Sequence, residues 1–598
     1  MYNLYRIAAV SPDLHSADII YNFSCIADDY QQAVANGASL VLFPAMAATG
    51  KSCGVLFQQP YLLTETYRQA EKFAALTGNV PAVFGLPVLH KNQLTECAAV
   101  AQNGKIAALV VRQNSDLPGF NGELPDDLFF VPAGSVFDAG ITFSVEFAGD
   151  MPADSSAMLR LFCGAEAELP GAWQQRENFF RSFSGYSKTA NAAAFAGCGE
   201  STSDQLYGGA LLICNQGKTI AQRPSPATAK GIIYADIDAD KIVAAQLKKK
   251  SFPSAAIAIA AMPQAPDMRY LDNPQHPFLP ENEAEKENFC RESFAFQCIG
   301  LKERFIRCRA KKMILGISGG LDSTLALVAM YLLCRDNNLP MDTIIAVTMP
   351  GFGTTGRTKN NALKLAEIIG AEIREIPIAQ ACLQHFSDIG HDPEKTNSVY
   401  ENSQARERTQ ILMDIANAEN GIVIGTGDLS EIALGWSTFN GDQMAMYAIN
   451  SSIPKSNIAA MLKYAAKSMP EAEKILQDVI DTPVSPELLP LDENGEIAQK
   501  TENILGAYEL HDFYLYHFTG GIGDAEKLLA LARNAFDGKY PDEELCRVRE
   551  LFMRRFFTQQ FKRTAGPDGI QAGIISLSAR NAWQMPADIN GKLFISKE

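Results

Sequence analysis

The amino-acid sequence predicts an α/β protein with more than one domain, and the second domain carries a doubly wound parallel sheet. Three observations support this. The chain has 598 residues, which is too many for a single hydrophobic core and predicts two to four domains. Short β-rich runs alternate with helical patterns throughout. Between residues 262 and 287 five prolines are followed by an acidic run, a composition that sustains neither a helix nor a central strand.

The proline-rich segment divides the chain. We predict a first domain over residues 1–262, a linker over 263–285 and a second domain over 286–598. In the first domain, β-rich runs alternate with helical patterns, which is typical of a layered α/β domain. The β-rich runs are 40–43, 81–85, 98–101 and 106–111, and the helical patterns are 16–37 and 61–77.

The second domain begins its sheet with the apolar run 313–317, and a helical pattern covers 324–333. Further strand and helix patterns follow at 344–349, 359–369, 372–376 and 422–425. This alternation predicts a doubly wound parallel sheet in which the loop after 317 lies at the carboxyl end of the first strand.

That loop reads Ser318-Gly-Gly-Leu-Asp-Ser323. A glycine-rich turn between a strand and a helix brings free N–H groups and the positive end of the helix dipole to one point, so it predicts a phosphate site. It has neither the Gly-Lys-Ser/Thr ending of a Walker A loop nor a dinucleotide fingerprint. The alternative is a tight turn in which Asp322 or Ser323 caps the helix.

Composition excludes several classes of function. The net charge of −16 argues against a nucleic-acid partner. No stretch approaches 18 uninterrupted apolar residues, and the first residues do not form a secretory signal, so we expect a cytoplasmic protein without a membrane partner. The 12 cysteines contain no Cys-x-x-Cys pair, which fits reduced thiols in the cytosol.

The phosphate loop resembles that of the ATP pyrophosphatase enzymes, and further segments in order narrow the resemblance. From about residue 285 to 597 the chain resembles the synthetase half of NAD synthetase. The whole chain is similar to the long bacterial, two-domain, glutamine-dependent form of that family. The supporting segments are 349–355 (MPGFGTT), 401–408 (ENSQARER), 424–431 (IGTGDLSE), 435–442 (GWSTFNGD), 453–455 (IPK) and 560–563 (QFKR).

This resemblance implies a Rossmann-like sheet of the ATP pyrophosphatase type and a ligase reaction. The nicotinate carboxylate of deamido-NAD (nicotinic acid adenine dinucleotide) attacks the α-phosphorus of ATP, and ammonia then displaces AMP from the acyl adenylate to give NAD. ATP and Mg²⁺ are the implied cofactors, and deamido-NAD and ammonia the substrates. In the loop, Ser318, Gly319, Gly320 and Ser323 would hold the phosphates, and Asp322 would ligate Mg²⁺.

The resemblance also implies roles outside the loop. Asp322, Glu431 and Lys455 would be catalytic, with the two carboxylates on the metal, and Thr354, Thr426 and Lys455 would contact ATP. Asn402, Arg406, Trp436, Asp442 and Lys562 would contact deamido-NAD, and Lys562 with Arg563 would form a positive patch.

Each of several candidates has a structural alternative. Glu431 could be the third helical residue of a capping box that begins at Asp428. Lys455 could be a solvated surface charge, Arg406 could cover a helix face, and Trp436 could be packing.

The first domain resembles the nitrilase-like αββα glutaminase domain of this family, which works through a glutamate, a lysine and a cysteine. All three positions differ here, because Ala45 follows Phe43-Pro44, Asn114 stands three residues before Leu117-Pro118, and Ala148 falls on the cysteine position. We therefore predict a degenerate glutaminase domain and an enzyme that uses ammonia, either free or from a separate glutaminase chain. The resemblance further implies a homo-oligomer.

Three alternatives remain. The protein could still use glutamine through an unrecognised nucleophile. It could amidate another nucleotide or thiolate tRNA, although the order of the segments and the absence of a basic composition disfavour this. It could also be a nucleotide-binding regulatory pseudoenzyme.

Overall fold

The computed structural model describes residues 4–115, 117, 119–120, 123–124, 129–227, 229–246, 273–353, 356–482 and 504–595. The chain divides into two compact units. The first contains residues 1–201 and 205–260, and the second contains 202–204 and 261–598. The predicted linker begins within 247–272, outside the described residues, so the domain boundary stays a prediction.

The described part of the first unit contains two sheets. In spatial order, the larger sheet consists of β13 (Gly231–Asp238), β1 (Leu4–Ser11), β2 (Leu40–Leu42), β3 (Ala82–His90), β4 (Gln93–Gln102), β5 (Lys105–Val111) and β6 (Phe130–Pro132). The second sheet consists of β12 (Lys218–Arg223), β11 (Leu211–Asn215), β10 (Ala190–Phe195), β9 (Leu159–Gly164), β8 (Thr142–Phe147) and β7 (Val136–Asp138). The helices of this unit are α1 (Ile19–Ala35), α2 (Pro60–Leu76), α3 (Ala172–Ser187) and α4 (Ala239–Gln246), with a 3₁₀ turn at Gly54–Gln58.

The two sheets pack face to face and helices cover their outer faces. Val83 of β3 and Val145 of β8 lie in one buried cluster between the sheets. On the outer side of the larger sheet, Phe23 of α1 and Phe73 of α2 pack against Phe84 of β3. β3 is therefore covered on both faces, which explains its nearly continuous apolar sequence. The predicted αββα sandwich is confirmed.

A buried ion pair lies in the second sheet. Glu146 of β8 accepts hydrogen bonds from Nε and Nη2 of Arg160 on β9, both at 2.6 Å, and both side chains are at most 5% exposed. The paired strand register places Glu146 opposite Phe162, so the two charged side chains meet diagonally. The pair offsets part of the cost of removing two charges from water, and Ala153 adds hydrogen bonds to both side chains through its N–H and its carbonyl.

Replacing Glu146 by alanine should lower the free energy of unfolding of the first unit by roughly 3–5 kcal/mol, because the Arg160 guanidinium stays buried without its carboxylate. Urea unfolding measures the change. The control is Asp236→Ala, which removes a pair with Arg6 whose side chains are 43% and 52% exposed, and should cost less than about 1 kcal/mol. Equal losses in the two variants would contradict this expectation.

In its described residues, the second unit has one sheet of five parallel strands. They are β14 (Met313–Gly316), β15 (Ile344–Thr348), β16 (Glu372–Glu375), β17 (Ile422–Gly425) and β18 (Tyr447–Ala448). Their spatial order is β16-β15-β14-β17-β18, and all pairs are parallel. The chain thus adds β15 and β16 on one side of β14, and then crosses to add β17 and β18 on the other side. The carboxyl ends of β14 and β17 form the switch point where ligands bind in such sheets, and the predicted doubly wound sheet is confirmed.

Helices surround this sheet and form an additional helical layer. The first group is α5 (Glu283–Arg307), α6 (Leu321–Asp336), α7 (Gly356–Ile369), α8 (Ala379–Ile389), α9 (Ser398–Glu419), α10 (Leu429–Leu434), α11 (Lys455–Ala466) and α12 (Glu473–Ile480), with a 3₁₀ turn at Met341–Thr343. The second group is α13 (Tyr508–Thr519), α14 (Ala525–Ala535), α15 (Asp542–Thr558), α16 (Gln560–Thr564) and α17 (Lys592–Ile595). An aromatic-rich core that includes Phe513, Phe536 and Phe552 joins α13, α14 and α15. Among the described residues, no helix has both the length and the apolar composition that crossing a lipid bilayer requires.

Candidate active site

The loop after β14 is shaped by its own hydroxyl groups. Gly319 has φ +84°, a left-handed conformation that favours glycine. Ser318 Oγ accepts a hydrogen bond from Gly320 N at 3.2 Å, and Ser323 Oγ accepts one from Ser318 N at 3.3 Å. These contacts hold the loop in a tight curve at the start of α6.

Helix α6 begins at Leu321, three residues earlier than the sequence pattern indicates. Its N-cap is Gly320, and no side chain caps it. Asp322 and Ser323 therefore lie inside the first turn, and the alternative in which one of them is the N-cap is wrong. An uncapped helix start leaves N–H groups without intrahelical acceptors, which is the geometry that binds an anion.

Lys455 lies at the first position of α11, and its ammonium group contacts three carboxylates. Nζ lies 2.7 Å from Asp322 Oδ2, 2.6 Å from Asp428 Oδ2 and 2.9 Å from Glu431 Oε1. The Lys455 side chain is only 4% exposed, so its alternative as a surface charge is wrong. The ring of Tyr508 closes another side, with its centre 5.4 Å from Nζ. We call Lys455, Asp322, Asp428 and Glu431 the charged cluster.

Burial and charge act in opposite directions in this cluster. Burial alone would lower the pKa of Lys455, but the three carboxylates outweigh it and hold that pKa well above its usual range. Burial raises the pKa of Glu431 to about 7, although Lys455 opposes the shift. The pKa of Asp428 is also raised, again chiefly by burial. The lysine therefore stays charged while the carboxylates compete for it.

The capping box predicted at Asp428 exists only in part. Asp428 is the N-cap of α10 and accepts a hydrogen bond from Glu431 N at 2.8 Å. The Glu431 side chain instead contacts Lys455, so Glu431 belongs to the charged cluster rather than to a reciprocal cap. Sequence reasoning missed Asp428 as a functional residue because its cap role explained it fully, although it lies in the motif 424–431.

The cluster has the chemistry of a site for a hard cation. Carboxylate oxygens of Asp322, Asp428 and Glu431 lie within 4.8 Å of one another. Oxygen ligands from carboxylates are those that Mg²⁺ prefers. These three residues could hold Mg²⁺ next to the phosphate loop.

A buried asparagine joins the two loops at the switch point. Asn450 Nδ2 donates to Asp322 O at 2.9 Å and to Thr426 O at 3.1 Å. Its Oδ1 accepts from Gln297 Nε2 on α5 at 3.0 Å. Asn450 and Gln297 are fully buried. The predicted ATP contact Thr426 is thus fixed opposite the phosphate loop, by a residue that carries no motif signal.

Four of the predicted substrate contacts surround the loop 435–442. Thr438 Oγ1 donates to Asn402 Oδ1 at 2.8 Å, and Thr438 N donates to Asp442 Oδ1 at 2.7 Å. Arg406 Nε donates to the carbonyl of residue 439 in the same loop at 3.3 Å. Lys562 Nζ donates to the carbonyls of residues 435 and 437, each at 2.7 Å.

Trp436, the fifth predicted substrate contact, is half-buried. Its ring packs against the helical core, and the guanidinium carbon of Arg555 lies 5.1 Å from the ring centre, which favours its packing alternative, while its contact to deamido-NAD stays a prediction. Arg563 is buried and donates to carbonyls of α10, so the expected positive patch of Lys562 and Arg563 is wrong. Thr354 lies outside the described residues.

A partly open cleft is lined by members of both groups of residues. Thr426 and Glu431 line it together with Asp442 and Lys562. The segment 576–580 also contributes to the lining, and no sequence motif indicated it. One space therefore reaches the predicted ATP contact Thr426 and two of the predicted contacts to the dinucleotide, Asp442 and Lys562.

The first unit carries the three positions where a glutaminase triad would stand. Ala45 is buried in the core between the sheets, Asn114 lies in an exposed turn, and Ala148 is 4% exposed. Arg112 Nη2 donates to Ala148 O at 3.4 Å and pairs with Glu96 and Asp150. Side chains of this kind offer neither a nucleophile nor a base at these positions.

One cysteine lies next to the nucleophile position. Ala148 N donates to Cys163 O at 2.9 Å, because β8 and β9 run side by side. Cys163 is 1% exposed, and burial raises the pKa of its thiol. A buried thiol with a raised pKa is a poor nucleophile.

Comparison with known proteins identifies relatives along the whole chain. A family model described as NAD synthase matches residues 295–529. The glutamine-dependent NAD(+) synthetase of Mycobacterium tuberculosis is 30% identical over an alignment covering 100% of this chain and 98% of the relative. The NH(3)-dependent NAD(+) synthetase of Fusobacterium nucleatum is 35% identical over 27% of this chain and 60% of the relative.

A solved structure shows the same fold. The crystal structure of a glutamine-dependent NAD(+) synthetase from Cytophaga hutchinsonii superposes with a TM-score of 0.74 at 18% identity, covering 98% of both chains. The full-length match to the mycobacterial relative confirms the resemblance seen in the sequence motifs. This chain belongs to the NAD synthetase family, in the two-domain form whose relatives are named glutamine-dependent NAD(+) synthetases.

Proposed function

We propose that this protein makes NAD from deamido-NAD, ATP and ammonia. The observation that carries the proposal is the charged cluster, which lies beside an uncapped helix start and opens into the cleft that Asp442 and Lys562 line. An anion site, a cation site and a cleft that reaches predicted contacts to the dinucleotide are the parts that adenylation of a carboxylate requires.

In the first step, a carboxylate oxygen of deamido-NAD forms a bond to the α-phosphorus of ATP, and the bond to the bridging oxygen breaks. Pyrophosphate leaves and takes the electron pair. The N–H groups at the start of α6 and the Ser318 and Ser323 hydroxyls would hold the phosphates. Lys455 would neutralise charge that gathers on them. Mg²⁺ bound by Asp322, Asp428 and Glu431 would supply further charge stabilisation.

In the second step, the ammonia nitrogen attacks the acyl carbon, AMP leaves with the electron pair of the broken C–O bond, and the nitrogen loses a proton. The proton passes to water. Asn402, Arg406, Asp442 and Lys562 would orient the dinucleotide.

The nitrogen source is ammonia rather than glutamine in this proposal. Three features of the first unit support it: the alanines at positions 45 and 148, the contact of Arg112 with Ala148, and the buried state of Cys163. The competing candidate is glutamine use, which the names of the full-length relatives favour. In the ammonia-dependent proposal, the ammonia comes from free ammonium or from a separate glutaminase chain.

One assay tests both the synthetase reaction and the nitrogen source. The pure protein receives ATP, Mg²⁺ and deamido-NAD with either ammonium or glutamine, and NAD, AMP and glutamate are measured. We expect NAD and AMP in equal amounts from ammonium, and neither NAD nor glutamate from glutamine. As a control, an added glutaminase should restore NAD formation from glutamine.

The other outcomes separate the alternatives. Glutamate released in step with NAD would show that the first unit still hydrolyses glutamine. Absence of AMP with both nitrogen sources would contradict the synthetase proposal and favour a nucleotide-binding module.

A further inference from the structure

Helix α11, which carries Lys455, begins without a cap of its own. Its N-cap is Pro454, and no side-chain cap hydrogen bond is made there. The first N–H groups of the helix are instead satisfied by residues from other elements. Lys455 N donates to Ser430 Oγ at 2.8 Å, and Ser456 N donates to Asp512 Oδ2 at 3.1 Å.

Asp512 connects these two contacts. It lies on α13 and is 2% exposed, and its Oδ1 accepts a hydrogen bond from Ser430 Oγ. One carboxylate therefore holds the start of α11 directly through Ser456 and indirectly through the Ser430 hydroxyl. A carboxylate at a helix N-terminus is also stabilised by the helix dipole.

The residues held by Asp512 adjoin two members of the charged cluster. Ser430 precedes Glu431 in α10, and Ser456 follows Lys455 in α11. The contact between Lys455 Nζ and Glu431 Oε1 thus depends on how the starts of α10 and α11 are placed relative to each other. Asp512 binds to both starts, through Ser430 and Ser456. Asp512 itself belongs to no motif of the sequence.

We propose that Asp512 is a positioning residue that sets the placement of Lys455 and Glu431 for adenylation. The inference rests on the proposed function. A displacement of a reacting group by about 1 Å costs about 10²-fold in rate. Removing the Asp512 carboxylate should therefore reduce turnover more than it weakens ATP binding, because Lys455 acts on charge that develops during adenylation while the N–H groups and hydroxyls of the phosphate loop hold bound ATP.

The test uses the full-length protein with ammonium as the nitrogen source. Asp512→Ala should lower kcat about 10²-fold and change the KM for ATP less than about threefold. Asp512→Asn keeps the shape and one acceptor oxygen, so it should recover kcat to within about tenfold of the wild type. Ser430→Ala removes the hydroxyl that links the carboxylate to Lys455 N, and should lower kcat about tenfold.

The matched control is Asp524→Ala. Asp524 is also an aspartate at a helix start and accepts hydrogen bonds from Glu526 N and Lys527 N, but it lies at α14. This variant should lower the thermal unfolding midpoint and leave kcat within about twofold of the wild type. It thereby separates loss of a helix cap from loss of positioning.

Specific results would overturn the inference. They are a kcat of Asp512→Ala within twofold of the wild type, or a loss that falls on the KM for ATP instead. If Asp512→Ala fails to fold, the kcat of Ser430→Ala is the test instead. A kcat of Ser430→Ala equal to that of the wild type would overturn the inference. A wild-type protein that makes no NAD would instead overturn the proposed function.

Discussion

Replacing Lys455 by methionine should reduce NAD formation by about 10²–10³-fold, the loss typical when one charge-stabilising group is removed from an enzyme site. Methionine keeps much of the length and the apolar stem but has no charge. The Asp322, Asp428 and Glu431 carboxylates would then face one another without the ammonium that now lies within 2.9 Å of each. Steady-state rates with saturating ATP and ammonium measure the effect.

The same variant should be less stable, because three carboxylates lose the cation that offsets their desolvation. Breaking a buried pair by removing one partner costs roughly 3–5 kcal/mol. Mg²⁺ should raise the thermal unfolding midpoint of Lys455→Met more than that of the wild type, because the carboxylate oxygens become free to bind it. The control is Lys463→Met, which lies in the last turn of the same helix and is exposed. Normal turnover in Lys455→Met would remove this lysine from the mechanism.

Replacing Asp322 by asparagine should also lower kcat, by at least about 10²-fold. Both carboxylate oxygens of Asp322 accept hydrogen bonds from Lys455, at 2.7 and 2.8 Å, and the same group is a predicted ligand of Mg²⁺. Changes in groups that only support a metal ligand cost 10–100-fold, so loss of a ligand should cost at least as much. Titration of activity with Mg²⁺ measures both the maximal rate and the concentration needed for half of it.

We expect the half-saturating Mg²⁺ concentration to rise in Asp322→Asn. Asp336→Asn is the matched control, since Asp336 ends the same helix, is exposed and pairs with Arg335. An unchanged Mg²⁺ dependence in Asp322→Asn, with a normal rate, would show that this carboxylate does not bind the metal.

Structural elements that depend on residues close together in the chain could be predicted from the sequence. The apolar run before Ser318 and the glycines after it specify a strand, a turn and a helix, and the structure has all three in the predicted order. The helix start was placed too late because Leu321, Asp322 and Ser323 form a first turn without the apolar periodicity that marks the rest of α6.

What the sequence did not reveal depends on residues that are distant in the chain. Asn450 bridges two loops that lie 128 and 24 residues away, and the hydrogen bond between Ser430 and Asp512 spans 82 residues. Neither Asn450 nor Asp512 lies in a sequence pattern that predicts such contacts. Trp436 shows that a motif position can also serve packing, since its half-buried ring lies against the helical core.

The amide of Asn450 has a mechanical consequence for the switch point. Because Nδ2 donates to carbonyls on both sides, the loops after β14 and β17 cannot separate without breaking at least one of two hydrogen bonds, at about 1 kcal/mol, and leaving a buried polar group unpaired. The single side chain of Asn450 therefore opposes any opening of the crevice between these two strands, at the place where the predicted phosphate site lies.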